Sequence, residues 1–313
     1  MGVNIPGLNI FSGSPQLSDD LFATSGRVLF VGSTATPGGE VGVDAAGAMG
    51  DRPQQPFATL DYAIGQLTAS RGDTIIVLPG HAETSATAIT ADIAGIRIIG
   101  LGEGRNRPTI TRNGAVDLID VTAANVRLHN LRLLATADTG GSLINVGAAD
   151  FVATKCVLEH GTGPLVAVTV PVAGDRFRFE DCMWIGTAAG PDISIDLEGS
   201  GAGNDFIIRN CYANYRGSSG LDLAFIRNTA DTTIGGIIDG LVVSGADVTV
   251  IDFNSSLSTH DGIIRNVAFA MSAAITSIED AIDNAGYMCI EVRGSDLRTS
   301  TGTRALIPPV TVQ

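Results

Sequence analysis

The feature that most constrains this chain is a ten-residue string that returns six times in altered spelling. It reads "VRLHNLRLLA" from Val126, "FVATKCVLEH" from Phe151, "FRFEDCMWIG" from Phe177, "FIIRNCYANY" from Phe206, "GGIIDGLVVS" from Gly235 and "GIIRNVAFAM" from Gly262. Its central polar position falls at Asn130, Lys155, Asp181, Asn210, Gly240 and Asn266, at spacings of 25, 26, 29, 30 and 26 residues. In the fifth copy that position sits one slot later. Two residues before it stand Leu128, Ala153, Phe179, Ile208, Ile238 and Ile264, and one after it stand Leu131, Cys156, Cys182, Cys211, Leu241 and Val267. Apolar alternation of period 2 runs on both sides, but its phase shifts across the polar position, so the chain bends there. A one-residue bend that keeps both apolar faces inward needs a left-handed backbone, which Asn, Asp and Gly tolerate best. Lys155 is the exception and predicts either strain or a locally different turn.

A further strand-like run lies between successive bends: "VDLIDV" from 116, "SLINV" from 142, "LVAVTV" from 165, "ISIDL" from 193, "LAFI" from 223 and "VTVIDF" from 248. Three strands of about five residues with short turns need roughly 20 to 30 residues, which matches the repeat. The pattern is that of an all-β solenoid, a single-stranded parallel β-helix whose coils stack about 4.8 Å apart and bury columns of like residues. Earlier copies are weaker. "GIRIIGLGEG" at 95 to 104 fits with Gly100 at the bend, and "DTIIVLPG" at 73 to 80 reads as a first coil. In "PFATLDYAIGQLTAS", Phe57, Leu60, Ile64 and Leu67 share one helical face, so residues 56–70 predict a short helix that caps the open end of the stack. The expected organisation is an arm with loops over 1–55, a β-helix with its cap over 56–298, and a tail over 299–313.

Composition excludes several functions. A formal charge of −14 and one lysine among 19 basic residues argue against nucleic acid as a partner. No window approaches the apolar length of a membrane helix, and "MGVNIPGLNIFSGS" has neither the charge nor the apolar stretch of a signal peptide, so a soluble protein made in a cytoplasm is expected. Cys156, Cys182, Cys211 and Cys289 lack metal-site spacing and read as free thiols, the first three as small apolar residues in one stack.

At "IIRNC" and "IIRNV" the sequence resembles the pectate-lyase-like superfamily of right-handed β-helices, over roughly residues 55 to 298. The stretch "PFATLDYAI…GDTIIVLPGHAE" is similar to β-helix proteins of tailed bacteriophages, which serve as tail spikes or as trimeric capsid decorations. Superfamily enzymes imply where to look for catalysis. Hydrolases use clustered aspartates, but here "NTAD" at 228–231 departs from their block, Asp19 and Asp20 lie outside the coils, and His160 sits in "EHG". Lyases of the superfamily use an Arg or Lys base beside calcium-binding carboxylates on one face. Arg209, Asp239 and Arg265 share an outward column beside the bends, which reads as an exposed charged ladder. His129 shares that column, while His81, His160 and His260 are scattered and form no metal cluster. "GLGEG" at 100–104 and "FVGSTATPGGEVG" at 30–42 read as a coil turn and a surface loop, not phosphate loops. Trp184 points inward, leaving Tyr212 and Tyr215 as candidates for stacking on sugars.

These readings name no catalytic, cofactor-binding or metal residue. The function the resemblance implies is a non-enzymatic virion protein, assembled in the host cytoplasm and carried as a homotrimer on the capsid exterior. Its partner would be the major capsid protein or another virion protein. The alternative is a tail spike or fibre segment that binds or cleaves host surface polysaccharide.

Overall fold

The computed structural model describes residues 26–33, 41–48, 50–136, 140–160, 166–186, 193–198, 203–215, 224–228, 235–246, 250–253 and 261–271, with the backbone of short strands at 4–5, 8–9, 282–284, 287–290 and 293–295. Among these, the chain is an all-β parallel solenoid with three long sheets of ten, nine and eight strands. Sheet I runs from Val28–Val31 to Tyr287–Ile290, sheet II from Ala82–Ser85 to Arg293–Ser295, and sheet III from Ile89–Ala91 to Ile282–Asn284. Each coil contributes one strand to each sheet in that order, as in Arg127–His129, Arg132–Ala135 and Ile144–Val146.

The bend between sheets I and II is left-handed in all six copies, with φ between 51° and 73° from Asn130 to Asn266. Lys155 adopts it too, at φ 54°. This conformation costs an L-residue roughly 1–2 kcal/mol, so Lys155 is strained and not differently turned. Each of the first five bends donates its N–H to the next coil: Asn130 to Thr154 O, Lys155 to Glu180 O, Asp181 to Arg209 O, Asn210 to Asp239 O and Gly240 to Arg265 O. A second left-handed ladder opens sheet I five residues before each of the first five bends, at Asn125, Asp150, Arg176, Asp205 and Gly235, with Gly95 and Ser70 in earlier coils. Two such corners per coil fix both ends of each sheet I strand, which is why these strands are short.

Gly100 is a different case. It remains in the strand Arg97–Gly100, and the left-handed residues that follow the strand are Gly102 and Gly104. Its lack of a side chain serves close approach instead, since a Cβ would lie 2.4 Å from Asn130 O. The amide of Asn130 donates to Gly100 O and Gly102 O at 2.9 and 2.8 Å, tying that wider turn to the regular corner above it.

The predicted inward columns are all buried, and their volumes compensate between coils. Trp184 packs on Phe179 and Phe225 with ring centroids 5.4 and 5.1 Å away, while its neighbour in the next coil is only Ala213. Phe177 and Phe206 stack nearly parallel at 5.3 Å in the adjacent column.

The stack starts earlier than residue 73, because Val28–Val31 pairs with Thr74–Val77 as the edge strand of sheet I. The strand lies within the segment expected to be an arm, and the pattern hides it because no regular coil follows directly. The capping helix covers Leu60–Ile64 and not 56–70. Phe57 is held in a bridge to Val31, Gly65 closes the helix, and Ser70 turns the first left-handed corner, so both flanks are committed to the solenoid. Leu60, Ala63 and Ile64 still plug the end as expected. Thr59 caps the helix through Tyr62 N–H, Asp44 accepts from Ala58 N–H and the Thr59 hydroxyl at 2.7 and 2.6 Å, and buried Glu83 accepts from Leu60 N–H at 3.0 Å. The tail 299–313, Asp19 with Asp20, and His260 lie outside the described residues. Among the described residues no helix is long and apolar enough to cross a membrane.

Replacing Asn210 with valine, a β-branched residue ill-suited to φ 51°, is expected to lower unfolding stability by about 1–2 kcal/mol. Urea titration followed by fluorescence checks this, because the chain's single tryptophan, Trp184, is fully buried and reports loss of the core.

Candidate functional site

Outward polar residues fall into columns along the solenoid axis, because parallel pairing in register repeats each slot in every coil. The anticipated column on sheet I exists: Arg209, Asp239 and Arg265 are cross-strand partners. Its charges pair with one another and with the neighbouring corner. Arg265 Nη2 lies 2.8 Å from Asp239 Oδ2, Asn266 donates to Asp239 Oδ1 at 2.8 Å, and Arg209 lies 3.7 Å from Glu180. The Arg265 hydrogen bond, with that from Asn266, holds the Asp239 carboxyl below the ordinary range.

A second cluster, on sheet III, is absent from the sequence reading. Asp120, Asn145, Thr169, Asp196, Arg227 and Asp252 are successive partners in one outward column. Asp196 is buried and takes a two-pronged contact from Arg227, at 3.1 Å from Nε and 2.7 Å from Nη2. Asn145 donates to Asp120 at 2.9 Å, and Ser142 donates its N–H to Asp117 at 2.6 Å. Exposed Glu198 stands at the end of the same strand as Asp196. Partial burial raises its carboxyl, Asp196 and Asp117 add to the rise, and Arg227 opposes it. The signal was present in the runs "LIDV", "LINV" and "ISIDL", where a polar residue recurs in one outward slot.

The remaining candidates have separate places. His81 is buried at the capped end, 3.2 Å from Glu83. His160 is buried under sheet II, where desolvation, reinforced by Arg112, pushes its ring down to about 3, so it is neutral. His129 is half-buried, with Nδ1 2.7 Å from Thr154 Oγ1. Its ring is lowered first by desolvation and then by Lys155 and Arg107. Tyr215 is fully buried and hydrogen-bonded to Ser194, so it offers no stacking face, a correction to its reading as a candidate. Tyr212 is exposed on sheet II between Met183 and Val242 in the neighbouring coils. Trp184 is inward as expected. Cys156, Cys182 and Cys211 are buried and free, and burial pushes the Cys211 thiol up to about 12, so it is unreactive at neutral pH. "GLGEG" leads into the 3-10 turn Gly104–Asn106, which has no phosphate-binding helix behind it. Residues 229–231 of "NTAD" and 34–40 of the other glycine-rich stretch lie outside the described residues. Among the described residues no three His, Cys, Asp or Glu side chains converge to hold a metal.

This architecture is the class the repeat predicted, a parallel β-solenoid of the pectate lyase fold. The solved structure of pectate lyase Pel9A is similar over 87% of this chain and 78% of its own, with a TM-score of 0.53 and 12% identity. An alginate lyase from Paenibacillus sp. str. FPU-7 matches over 75% of this chain and 94% of its own at 12% identity, but its TM-score is 0.27. At such identities the first likeness concerns the fold and the second carries no weight. No family model and no curated protein matches the chain.

Asp239 and Asp150 are more acidic in the folded chain than in the unfolded one, because Arg265 and Arg176 bind their ionised forms. Their contribution to stability is therefore complete above the ordinary carboxylate pKa of about 4 and is lost as pH falls through the folded values. Acid unfolding of Asp239→Asn should show a shallower decline with pH in that window than the parent, measured by circular dichroism from pH 5 to pH 2.

Proposed function

We propose that this chain is a non-enzymatic structural solenoid, a decoration protein on the head exterior of a tailed bacteriophage, assembled as a homotrimer on the major capsid protein. The observation that carries the structural part is the pairing of outward charges from coil to coil. Arg132 meets Glu159, Arg176 meets Asp150, Arg227 meets Asp196 and Arg265 meets Asp239, each at 2.6 to 2.8 Å and each between adjacent coils. Groups arranged so staple a rod, and any single exposed pair contributes only about 0–1 kcal/mol. Repeated along the axis, they favour a stiff outward surface. The phage assignment rests on the N-terminal segment "PFATLDYAI…GDTIIVLPGHAE", whose residues build the cap and first coil. Attachment is assigned to the N-terminal arm within residues 1–55, the alternative being the C-terminal tail.

A second reading is favoured by the sheet III cluster. Asp196, Glu198 and Arg227 bring two carboxylates of unlike environment beside a fixed guanidinium, an arrangement suited to binding or cleaving an acidic polysaccharide. Polysaccharide is also the substrate implied by the name of the lyase that shares the fold, though its likeness to this chain extends to the fold alone.

Two measurements test these readings. Quantitative mass spectrometry of purified virions should find this protein at a copy number on the order of that of the major capsid protein. A handful of copies per particle would refute the decoration role. Deleting residues 1–25 should leave the solenoid's circular dichroism intact and abolish capsid binding, and retained binding contradicts the attachment assignment. For the second reading, release of reducing ends from host capsule that disappears in Arg227→Ala is expected, and absence of release by the parent chain ends it.

A further inference from the structure

Lys155 occupies a place where every other copy of the bend carries Asn, Asp or Gly, and it holds the same left-handed backbone at φ 54°. A bulky residue kept at a strained position is reason to look for what its side chain does. Its surroundings are cationic in a chain of net charge −14. His129 lies one coil below, pairing with Thr154 beside Lys155, and feels both Lys155 and Arg107. Arg107 lies one coil lower still, just before the strand Thr109–Arg112, and its influence reaches the ring of His129 and the thiol of Cys156. The Nε–H of Arg107 is buried with no acceptor among the described residues. Exposed Arg127 flanks the group on sheet I. Two carboxylates on neighbouring strands are engaged elsewhere, Glu159 with Arg132 at 2.6 Å and Glu180 with Arg209 at 3.7 Å. Asp181 follows at the next corner, and no ion pair joins it to Lys155 among the described residues.

We propose that Arg107, His129 and Lys155 form a binding site for an oxyanion, a sulfate- or phosphate-type group, on the corner between sheets I and II. The stacking of coils brings together one group from each of three successive turns, the Arg107 guanidinium, the neutral His129 ring and the Lys155 ammonium. An oxyanion there accepts from the orphaned Arg107 Nε–H and from the Lys155 ammonium, with charge-assisted bonds of the strong kind. Its negative charge offsets the repulsion between the Arg107 guanidinium and the Lys155 ammonium. Lysine at the bend is then the residue that trades backbone comfort for the ligand. The site is separate from the sheet III cluster and from the coil-to-coil ion pairs, so it stands whether or not the decoration role does.

The test uses the full chain and inorganic sulfate. The histidine ring signals are followed by NMR during a sodium sulfate titration, with sodium chloride holding ionic strength constant and His129→Gln identifying the His129 resonance. A saturable shift of the His129 signal is expected. Lys155→Asn, which restores the residue type of the other bends, should raise the thermal midpoint yet weaken sulfate binding at least tenfold, and Arg107→Gln should weaken it comparably. A shift no larger than the chloride control, or one undiminished in both variants, overturns the site. Dextran sulfate separates the sources of the group. Tighter binding than free sulfate at equal sulfate-group concentration identifies an oxyanion carried on a polymer, and equal binding identifies a free ion, both upholding the site.

Discussion

The fold depends on one backbone constraint, the left-handed corner. A parallel solenoid must turn between sheets without losing a hydrogen bond or rotating an apolar face outward. A single residue with φ near 55° does both. Its N–H stays aligned with the coil axis and bonds to the coil above, from Asn130 through Gly240. Everything else in the described structure is repetition permitted by that turn. Inward slots stack into columns of Leu, Ile, Phe and Cys, and outward slots stack into polar ladders. Compensation between coils replaces exact repetition, as where Trp184 is followed by Ala213.

A surface made of ladders has a particular electrostatic character. Opposite charges one coil apart neutralise each other without burial, which is how Arg176 with Asp150 and Arg265 with Asp239 are arranged. Two departures break this uniformity. On sheet III, Asp196 is buried beneath Arg227, and Glu198 is pushed toward its protonated form. On the corner between sheets I and II, Arg107 and Lys155 set like charges around the neutral His129 ring. The first departure is a pair of unlike carboxylates around a cation and underlies the polysaccharide reading. The second is a cationic patch on an acidic protein and underlies the oxyanion site. Both lie on a rod whose remaining charges serve its rigidity.

The capped end obeys a different rule from the coils. A solenoid's last rung leaves backbone groups and apolar columns open, and here Leu60, Ala63 and Ile64 close them with barely more than one helical turn. Such a helix is too short to be stable alone. Glu83 accepts from its first N–H, at Leu60, and Asp44 holds the N–H groups of Ala58 and Thr59 that lead into it, both acceptors being distant in sequence. That dependence explains why apolar periodicity over residues 56–70 overstates the helix. The same spacing of Phe57, Leu60, Ile64 and Leu67 is met by a bridge, a single turn and a corner in succession.

The sequence by itself determined the solenoid, its repeat, the sheet I to sheet II corners and the inward columns, because local alternation and residue types that tolerate positive φ are written residue by residue. The second corner ladder was also written, at Gly95, Asn125, Asp150, Asp205 and Gly235, but Ser70 and Arg176 in the same series diluted its signal. Only the tertiary structure decided which polar residues face one another. Asp196 and Arg227 are 31 residues apart and meet because one full coil, with its strands Ile207–Arg209 and Tyr212–Asn214, returns the chain in register. Likewise Arg107, His129 and Lys155 belong to three different coils, and no local pattern links them. Their proximity follows from stacking, a property of the coil axis that exists only once the chain has wound upon itself.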